Sequence, residues 1–359
     1  MDLSFTQDQD ALRGLARQIF TGHLTREQLH EVEAGEEWFD RELWASLAKA
    51  NLLGIAIAEE YGGSGFGLIE LCLLLEETGR AVAPLPLFPT LVLGALSISR
   101  YGTEDQKRRY LPGVVDGSVV LTAAMSGDAS TTSVKALAMN GEWRLDGIAS
   151  DVPAAHIASR MLVPARTADG VRLFLVDLAS TVLTRNETTN GEPHFSVELH
   201  GREGEPLGNE TTFDFMLEHA LVGLCAMQVG VAERALRLTA DYTSSREQFG
   251  RPLGSFQAVQ QRAADCYIDV EAMRWTMWQA AWRLSERLPA TEEVAIAKFW
   301  AADGGFRVVA AAQHLHGGIG VDLEYPLHRY SQWARQIELT LGGATAHLAR
   351  LGGLMAQCP

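Results

Sequence analysis

The chain has 359 residues, of which 47% are hydrophobic and 21% charged, and its formal net charge is −15. A chain of this length and apolar content can bury a large core and divide into two or three domains. Its strong negative charge repels phosphate backbones, so nucleic acid is not an expected partner.

The cysteines and the N-terminus indicate a reducing compartment. Cys72, Cys225, Cys266 and Cys358 form no CxxC pair, so the sequence predicts neither a zinc knuckle nor a disulfide framework. The first twenty residues carry acids early and lack the apolar stretch of a signal peptide. No run of 18 apolar residues occurs, so we expect a cytoplasmic protein that does not span a membrane.

The first 115 residues have helical periodicity. Apolar residues recur at helical spacing between positions 12 and 20, with Ser4 or Thr6 available as the N-cap. A second apolar run covers positions 68–75, after glycines at positions 62, 63 and 65 that break the pattern. The sequence YGTEDQK at 101–107 predicts a turn that starts a polar helix.

The segment 116–217 changes to short runs typical of β-strands. Gly, Asp and Asn separate these runs at hairpin-like spacing. Phe195, Val197 and Leu199 alternate with polar residues, as expected of a strand with one buried face. The pattern therefore predicts a central antiparallel β domain.

From residue 218 the pattern is helical again, with long segments near 218–247, 256–287 and 291–315. Trp275, Trp278 and Trp282 form a broad apolar stripe on the second of these segments, and such a stripe predicts an interface, so we do not expect a monomer. The order of helices, strands and helices predicts an α+β fold with domains at 1–115, 116–217 and 218–359. No GxGxxG follows a strand, so a Rossmann nucleotide site is not supported.

Four segments together resemble the acyl-CoA dehydrogenase family. They are EEYGGSG at 59–65, YGTEDQKRRYLPG at 101–113, YTSSREQFGRPLGSFQAVQ at 242–260 and HLHGGIGVDLEYPLHRY at 314–330. They occur in the family's order over nearly the whole chain. The resemblance implies an N-terminal helical domain, a β domain and a C-terminal four-helix bundle, with FAD as cofactor and usually a tetrameric assembly.

The resemblance also assigns residues to the flavin. A guanidinium can fork onto pyrophosphate oxygens, and the family's arginine and phenylalanine at this place reach the flavin of a neighbouring subunit. Glycine lets the backbone approach the adenine end closely, where His314 is expected at the edge and His316 is expected to be structural. Histidines two apart on a helix do not face one side, so no metal site is predicted. The residues assigned in this way are Arg246, Gln248, Phe249, Leu253, Phe256, His314, Gly317 and Gly318.

In the β domain the resemblance assigns Met125, Ser126 and Thr132 to the flavin. Ser126 stands where the family has a threonine that contacts the flavin, and it keeps the hydroxyl group. The Glu-Pro of the family's pattern is absent here. The stretch 147–153 also lacks the tryptophan that the family usually carries near the flavin.

The family's reaction needs a base that this chain lacks at both family positions. A carboxylate removes the α-proton of an acyl-CoA while the β-hydrogen leaves as hydride to flavin N5, and the weakly acidic proton needs an aligned base. The first base position, in a turn near the C-terminus, holds Leu341 or Gly342, depending on the register, and the second falls on Ala220. Glu338 and Glu218 lie nearby and are the weak candidates for a displaced base.

Three functions remain open from the sequence. The chain is an FAD-dependent acyl-CoA dehydrogenase with a displaced base, or a non-redox homologue that binds acyl-CoA. Alternatively, it is the base-deficient partner subunit of an α2β2 enzyme, as its similarity to the bacterial steroid-degrading branch of the family implies. In that case it supplies Arg246 and Phe249 to the flavin of a glutamate-bearing homologue. The resemblance further implies an electron-transfer flavoprotein as acceptor, and the acyl group stays undetermined.

Overall fold

A computed structural model of the protein describes residues 4–125 and 132–357. The helices are α1 (Gln7–His23), α2 (Arg26–Ala34), α3 (Arg41–Lys49), α4 (Leu68–Ala81), α5 (Leu96–Tyr101), α6 (Glu104–Val115), α7 (Thr212–Ser245), α8 (Gln257–Ser285), α9 (Thr291–His316), α10 (Leu327–Leu339) and α11 (Ala344–Gln357), with a π-helix at Phe88–Ala95. The strands are β1 (Leu121–Ala123), β2 (Lys135–Met139), β3 (Glu142–Pro153), β4 (Arg160–Thr167), β5 (Gly170–Asp177), β6 (Val182–Asn186), β7 (His194–Leu207), β8 (Glu247–Gln248) and β9 (Arg251–Pro252).

The helix–strand–helix order predicted from the sequence is confirmed, and two helix starts follow their predicted signals. Thr6 caps α1, and Thr103 forms a capping box with Gln106 at the start of α6. The chain divides into two compact units. The sheet unit comprises Gly14–Leu71 and Pro84–Ala220, and the helical unit comprises the residues up to Arg13, Cys72–Ala83 and the residues from Leu221 onward. The domain boundaries near 115 and 218 stay a prediction.

The sheet unit is built on strands β1 to β7. Phe195, Val197 and Leu199 on β7 are all buried, as their alternation predicts. Among the described strands the pairings are antiparallel except those of β1 and β2 with β4, which are parallel. The sheet is therefore mixed rather than purely antiparallel, because hairpin spacing reports only connections between strands that follow each other. A β-bulge in β3 between Ala149 and Val152 places Asp151 in the left-handed region, with φ +57°.

The helical unit packs α9 against α8, α10 and α11. In the same unit α4 crosses α7 at very short range. A Cβ atom at Gly79 would overlap the carbonyl oxygen of Met227, and one at Gly230 would overlap that of Glu76. Only glycine allows two helix backbones to approach so closely, so these two positions fix how α4 meets α7.

The longest helix, α7, lies in the protein core. Its most apolar window has a mean hydropathy of 1.5, and by length and composition it is the one helix in the described ranges that could cross a membrane. However, 89% of that window is buried inside the protein. A single apolar helix is only weak evidence for a membrane span, and one that is mostly buried is typical of the core of a soluble protein.

Candidate flavin and acyl-CoA site

A short hairpin directly after α7 carries the arginine and phenylalanine assigned to the flavin. We call residues 246–253 the arm. Strands β8 and β9 pair across a two-residue turn in which Phe249 has φ +55° and Gly250 has φ +78°, as a tight hairpin with a primed turn requires. Phe249 is 91% exposed at the tip. A large apolar side chain held out in this way is suited to contact with another molecule.

The remaining arm residues support the tip. The backbone N–H of Leu253 donates to the carbonyl oxygen of Arg246 at 2.8 Å, which extends the hairpin pairing by one position. Half-buried Phe256 meets Phe249 edge to face with ring centroids 6.2 Å apart. The amide of Gln248 donates to the carbonyl oxygen of Glu247 at 2.8 Å. The arm is thus ordered by its own contacts.

The end of α9 presents exposed backbone beside an exposed histidine. His314 is exposed, and Gly317 has φ +66° with nothing within 4 Å of a Cβ built there; the same open space lies at Gly318. His316 is buried instead, where its Nδ1–H donates to the carbonyl oxygen of Ala312 and its Nε2 accepts from the hydroxyl of Tyr325. Burial lowers the pKa of His316. His316 therefore stabilises the helix end, while His314 and the glycines face open space.

The residues that the resemblance assigned to the flavin in the sheet unit are less available for contact with a ligand. Ser126 lies outside the described residues. The hydroxyl of Thr132 donates to the carbonyl oxygen of Pro164 at 2.7 Å and accepts from the N–H of Val134, so its proton is already engaged. The backbone N–H of half-buried Met125 donates to the carbonyl oxygen of Asp151 at 3.4 Å.

A charged cluster lies beside Met125, in the stretch where the resemblance led us to look for an aromatic residue. His194 is 2% exposed; its Nδ1–H donates to a carboxylate oxygen of Asp151 at 2.6 Å, and its Nε2 lies 3.7 Å from a carboxylate oxygen of Glu192. Burial opposes the charge of this ring, but the hydrogen bonds with Asp151 and Glu192 outweigh it and raise the pKa of His194 to about 9. His194 is therefore an imidazolium at neutral pH.

The turn between α10 and α11 corresponds to the family's first base position. Leu341 has φ +58° and Gly342 has φ +100°. A Cβ at Gly342 would lie 3.3 Å from both Ala346 Cβ and His347 Nε2, so a side chain there is strained and crowded. At either position of this turn the side chain present, that of Leu341 or the hydrogen of Gly342, cannot accept a proton.

Two buried side chains that we did not identify from the sequence hold this turn. The ammonium group of Lys298, 0% exposed, donates to the carbonyl oxygens of Ile337 at 2.7 Å and Glu338 at 3.0 Å. His347 Nε2–H donates to the carbonyl oxygen of Leu341 at 3.0 Å. Burial lowers the pKa of Lys298 to about 8 and that of His347 to about 4. Lys298 interrupts the apolar stripe of α9, and that interruption is the sequence signal that could have found it.

The acids near the two base positions differ in their surroundings. Both carboxylate oxygens of Glu338 accept from one nitrogen of Arg335 at 2.7 Å, so this side chain is held by an ion pair. Glu218 is half-buried on α7, two residues before Ala220, which is 1% exposed. At both family base positions, both of which the structure describes, no carboxylate is present.

Comparison with known protein families identifies the family of the chain. The acyl-CoA dehydrogenase N-terminal domain family matches residues 6–118, and the C-terminal domain family of the same enzymes matches residues 212–352. The chain belongs to the acyl-CoA dehydrogenase family. Members of this family are oxidoreductases that use FAD, and the fold described above is theirs.

Within the family the chain is close to subunits of steroid acyl-CoA dehydrogenases. Acyl-CoA dehydrogenase FadE27 of Mycobacterium tuberculosis is 38% identical over the full length of both chains. The ChsE4–ChsE5 complex of the same organism contains a chain with 38% identity and a TM-score of 0.96 over 100% of both chains. A variant of the Tcur3481–Tcur3483 steroid acyl-CoA dehydrogenase is 47% identical with a TM-score of 0.94 over 98% of both chains.

FAD fits the described residues of this family member unevenly. The exposed arm and the open glycines after α9 offer cationic and backbone groups to a dinucleotide. In the sheet unit the hydroxyl of Thr132 is engaged internally, and a carboxylate anchored by an imidazolium stands in the stretch without an aromatic side chain. The helical unit is thus better suited to bind a flavin than the described part of the sheet unit.

Proposed function

We propose that this chain is the base-deficient subunit of a heteromeric acyl-CoA dehydrogenase. The observation that carries this proposal is the identity of the residues at the two base positions, Leu341 with Gly342 and Ala220, none of which has a carboxylate. Glu338, the acid next to the first position, is paired with Arg335. A chain that keeps the family fold without its base can serve the reaction only through another subunit.

The cost of the missing base is large. An aligned general base contributes about 10²–10⁴-fold to such a reaction, and water cannot replace it in a pocket that excludes bulk solvent. The bound flavin supplies a hydride acceptor at N5, but the α-proton still needs a carboxylate. We infer that a glutamate-bearing homologue provides both the base and the rest of the active site.

The contribution of this chain is then the arm. Arg246 binds a phosphate of the partner's flavin, Phe249 packs against that flavin, and Gln248, Leu253 and Phe256 support the two. His314, Gly317 and Gly318 meet the adenine end. In this arrangement each complete active site combines the base of one subunit with the arm of the other. Met125, Ser126 and Thr132 belong to the flavin sites that lack a base.

The relatives suggest the substrate class and the acceptor. The Tcur3481–Tcur3483 protein is described as a steroid acyl-CoA dehydrogenase, and it is similar to this chain over nearly its whole length. We propose that the substrate is an acyl-CoA with a steroid ring system, that the assembly is an α2β2 tetramer, and that an electron-transfer flavoprotein in the cytoplasm reoxidises the flavin.

The test is purification of the chain alone and together with a glutamate-bearing homologue. Each preparation is mixed with steroid and straight-chain acyl-CoA substrates, and flavin bleaching is followed in a single turnover. We expect flavin bleaching only in the joint preparation, because only the homologue carries the required glutamate. Rapid bleaching by this chain alone would refute the proposal.

Rapid bleaching by this chain alone would mean that it contains a displaced base. Glu338→Gln and Glu218→Gln are the variants to compare, and loss of bleaching in one of them would identify the proton acceptor. A complex that binds acyl-CoA without bleaching in any combination would favour the non-redox function instead.

A further inference from the structure

The arm carries a second arginine on the same face as the first. Gln248 pairs directly with Arg251 across the hairpin, and the hydrogen bond from Leu253 to Arg246 pairs those two residues. Directly opposed residues on neighbouring strands share a face, and so do residues two apart on one strand. Arg246 and Arg251 therefore lie on one face of the arm, while Glu247 and its partner Pro252 lie on the other.

Neither of these two arginines is neutralised by an acid. Within the residues that the structure describes, no ion pair or hydrogen bond joins the guanidinium of Arg246 or Arg251 to a carboxylate. By contrast, Arg274 in the same unit contacts Glu76 and Glu233, and Arg307 contacts Asp269. In a chain with a net charge of −15, two unpaired cations on one face of an exposed hairpin mark an anion site.

Arg251 is also held in place. Its guanidinium carbon lies 4.1 Å from the ring centroid of Phe256, which is a cation–π contact at short range. This contact reduces the number of rotamers that the side chain samples, so less entropy is lost when an anion binds. Because Phe256 also supports Phe249, one ring orders both the apolar tip and the second cation.

We propose that Arg251 is a second diphosphate-binding residue, so that the arm binds a diphosphate diester with two guanidinium groups rather than one. A diphosphate diester carries two negative charges at neutral pH, which matches the two cations, and its two phosphates can each meet one guanidinium group, whereas a simple phosphodiester or a carboxylate leaves one cation uncompensated. Both FAD and acyl-CoA contain such a diphosphate. The inference deepens the proposed function, since it names the group on the partner's ligand that the arm recognises.

The first experiment needs only the full chain and inorganic pyrophosphate. Calorimetric titration at low salt compares the wild type with Arg246→Gln and Arg251→Gln. Each loss of a charge-assisted contact should weaken pyrophosphate binding by about tenfold or more, and inorganic phosphate should bind much more weakly than pyrophosphate. Glu247→Gln on the opposite face and Arg262→Gln on α8 are the matched controls and should retain wild-type affinity. Arg251→Lys should recover only part of the affinity, because an ammonium group cannot fork onto two oxygens.

The second experiment uses the complex with the glutamate-bearing homologue and distinguishes the two sources of the diphosphate. If Arg251→Gln weakens retention of FAD by about tenfold and leaves the inhibition by free CoA unchanged, the ligand is the flavin. The reverse pattern assigns the arm to CoA. If Arg251→Gln binds pyrophosphate and both ligands like the wild type while Arg246→Gln does not, the inference is wrong. The pyrophosphate titration uses this chain alone. It can therefore fail or succeed whether or not the chain proves to be a base-deficient subunit.

Discussion

Lys298 carries a charge in the interior of the helical unit, and that charge has a measurable effect on stability. Burial lowers its pKa from 10.5 to about 8. Between these values the unfolded chain binds more protons than the folded chain, so the free energy of unfolding gains from this group as the pH rises from about 8 to 10.5. At about 1.4 kcal/mol per pKa unit the gain is about 3 kcal/mol.

We therefore expect the variant Lys298→Met to lack this gain. Urea unfolding at pH 7.5 and pH 10 measures the difference for the wild type and the variant. The exposed Lys49→Met on α3 is the control and should follow the wild type. An identical pH dependence for Lys298→Met and the wild type would show that Lys298 does not have the lowered pKa.

His194 changes the free energy of unfolding with pH in the opposite direction. Its pKa in the folded chain is raised to about 9, so its ion pairs stabilise the fold fully below pH 6.5, and this contribution is lost as the pH rises through 9. Because Asp151 is half exposed, the contribution is about 1–2 kcal/mol. Between pH 6 and 9.5 the wild type should lose this much more unfolding free energy than His194→Asn. The exposed His200→Asn should leave the pH profile of the wild type unchanged.

Among the elements, the crossing of α4 and α7 depends most strictly on residue size. A methyl group at Gly79 or Gly230 would overlap a backbone carbonyl of the facing helix, and backbone cannot rotate away as a side chain can. Gly79→Ala and Gly230→Ala should each lower the free energy of unfolding by about 3 kcal/mol. Gly353→Ala on α11 meets open space and should raise it by up to about 1 kcal/mol. If thermal unfolding gave the same stability for all three variants, the close crossing of α4 and α7 would be contradicted.

The elements themselves could be predicted from the sequence, but their contacts could not. Hydrophobic period predicted the bounds of α8 and α9 to within two residues, because this signal is local, whereas α7 begins six residues before the predicted start at 218. The parallel pairing of β1 with β4, the glycine crossing and the insertion of Lys298 beneath α10 join residues far apart in sequence, and no local pattern encodes them. The same limit applies to the site: motifs indicated Arg246 and Phe249, whereas Arg251 became notable only when the hairpin register placed it beside Arg246.

For the whole molecule, assembly should depend on the last helix. On α11 Leu348 is 53% and Met355 64% exposed, and Arg350 is its one residue with a permanent charge. We expect this surface to be covered by another subunit. Leu348→Glu and Met355→Glu should leave the unfolding temperature of the chain unchanged and reduce the mass of the assembly measured by light scattering. Val182→Glu on β6, where valine is 56% exposed, is the control. An unchanged mass in both α11 variants would exclude α11 from the interface.

The discontinuous chain of the helical unit also affects its biosynthesis. Glu76 on α4 is 0% exposed in the finished protein, yet its partner Arg274 lies 198 residues later in the sequence. At roughly 5–20 residues per second, a ribosome needs about 10–40 s to synthesise that interval. During this time the apolar face of α4 stays exposed and Glu76 lacks its contact with Arg274, although the sheet unit is complete once Ala220 has emerged. The nascent chain is therefore most prone to aggregation, and most in need of a chaperone, between those two points.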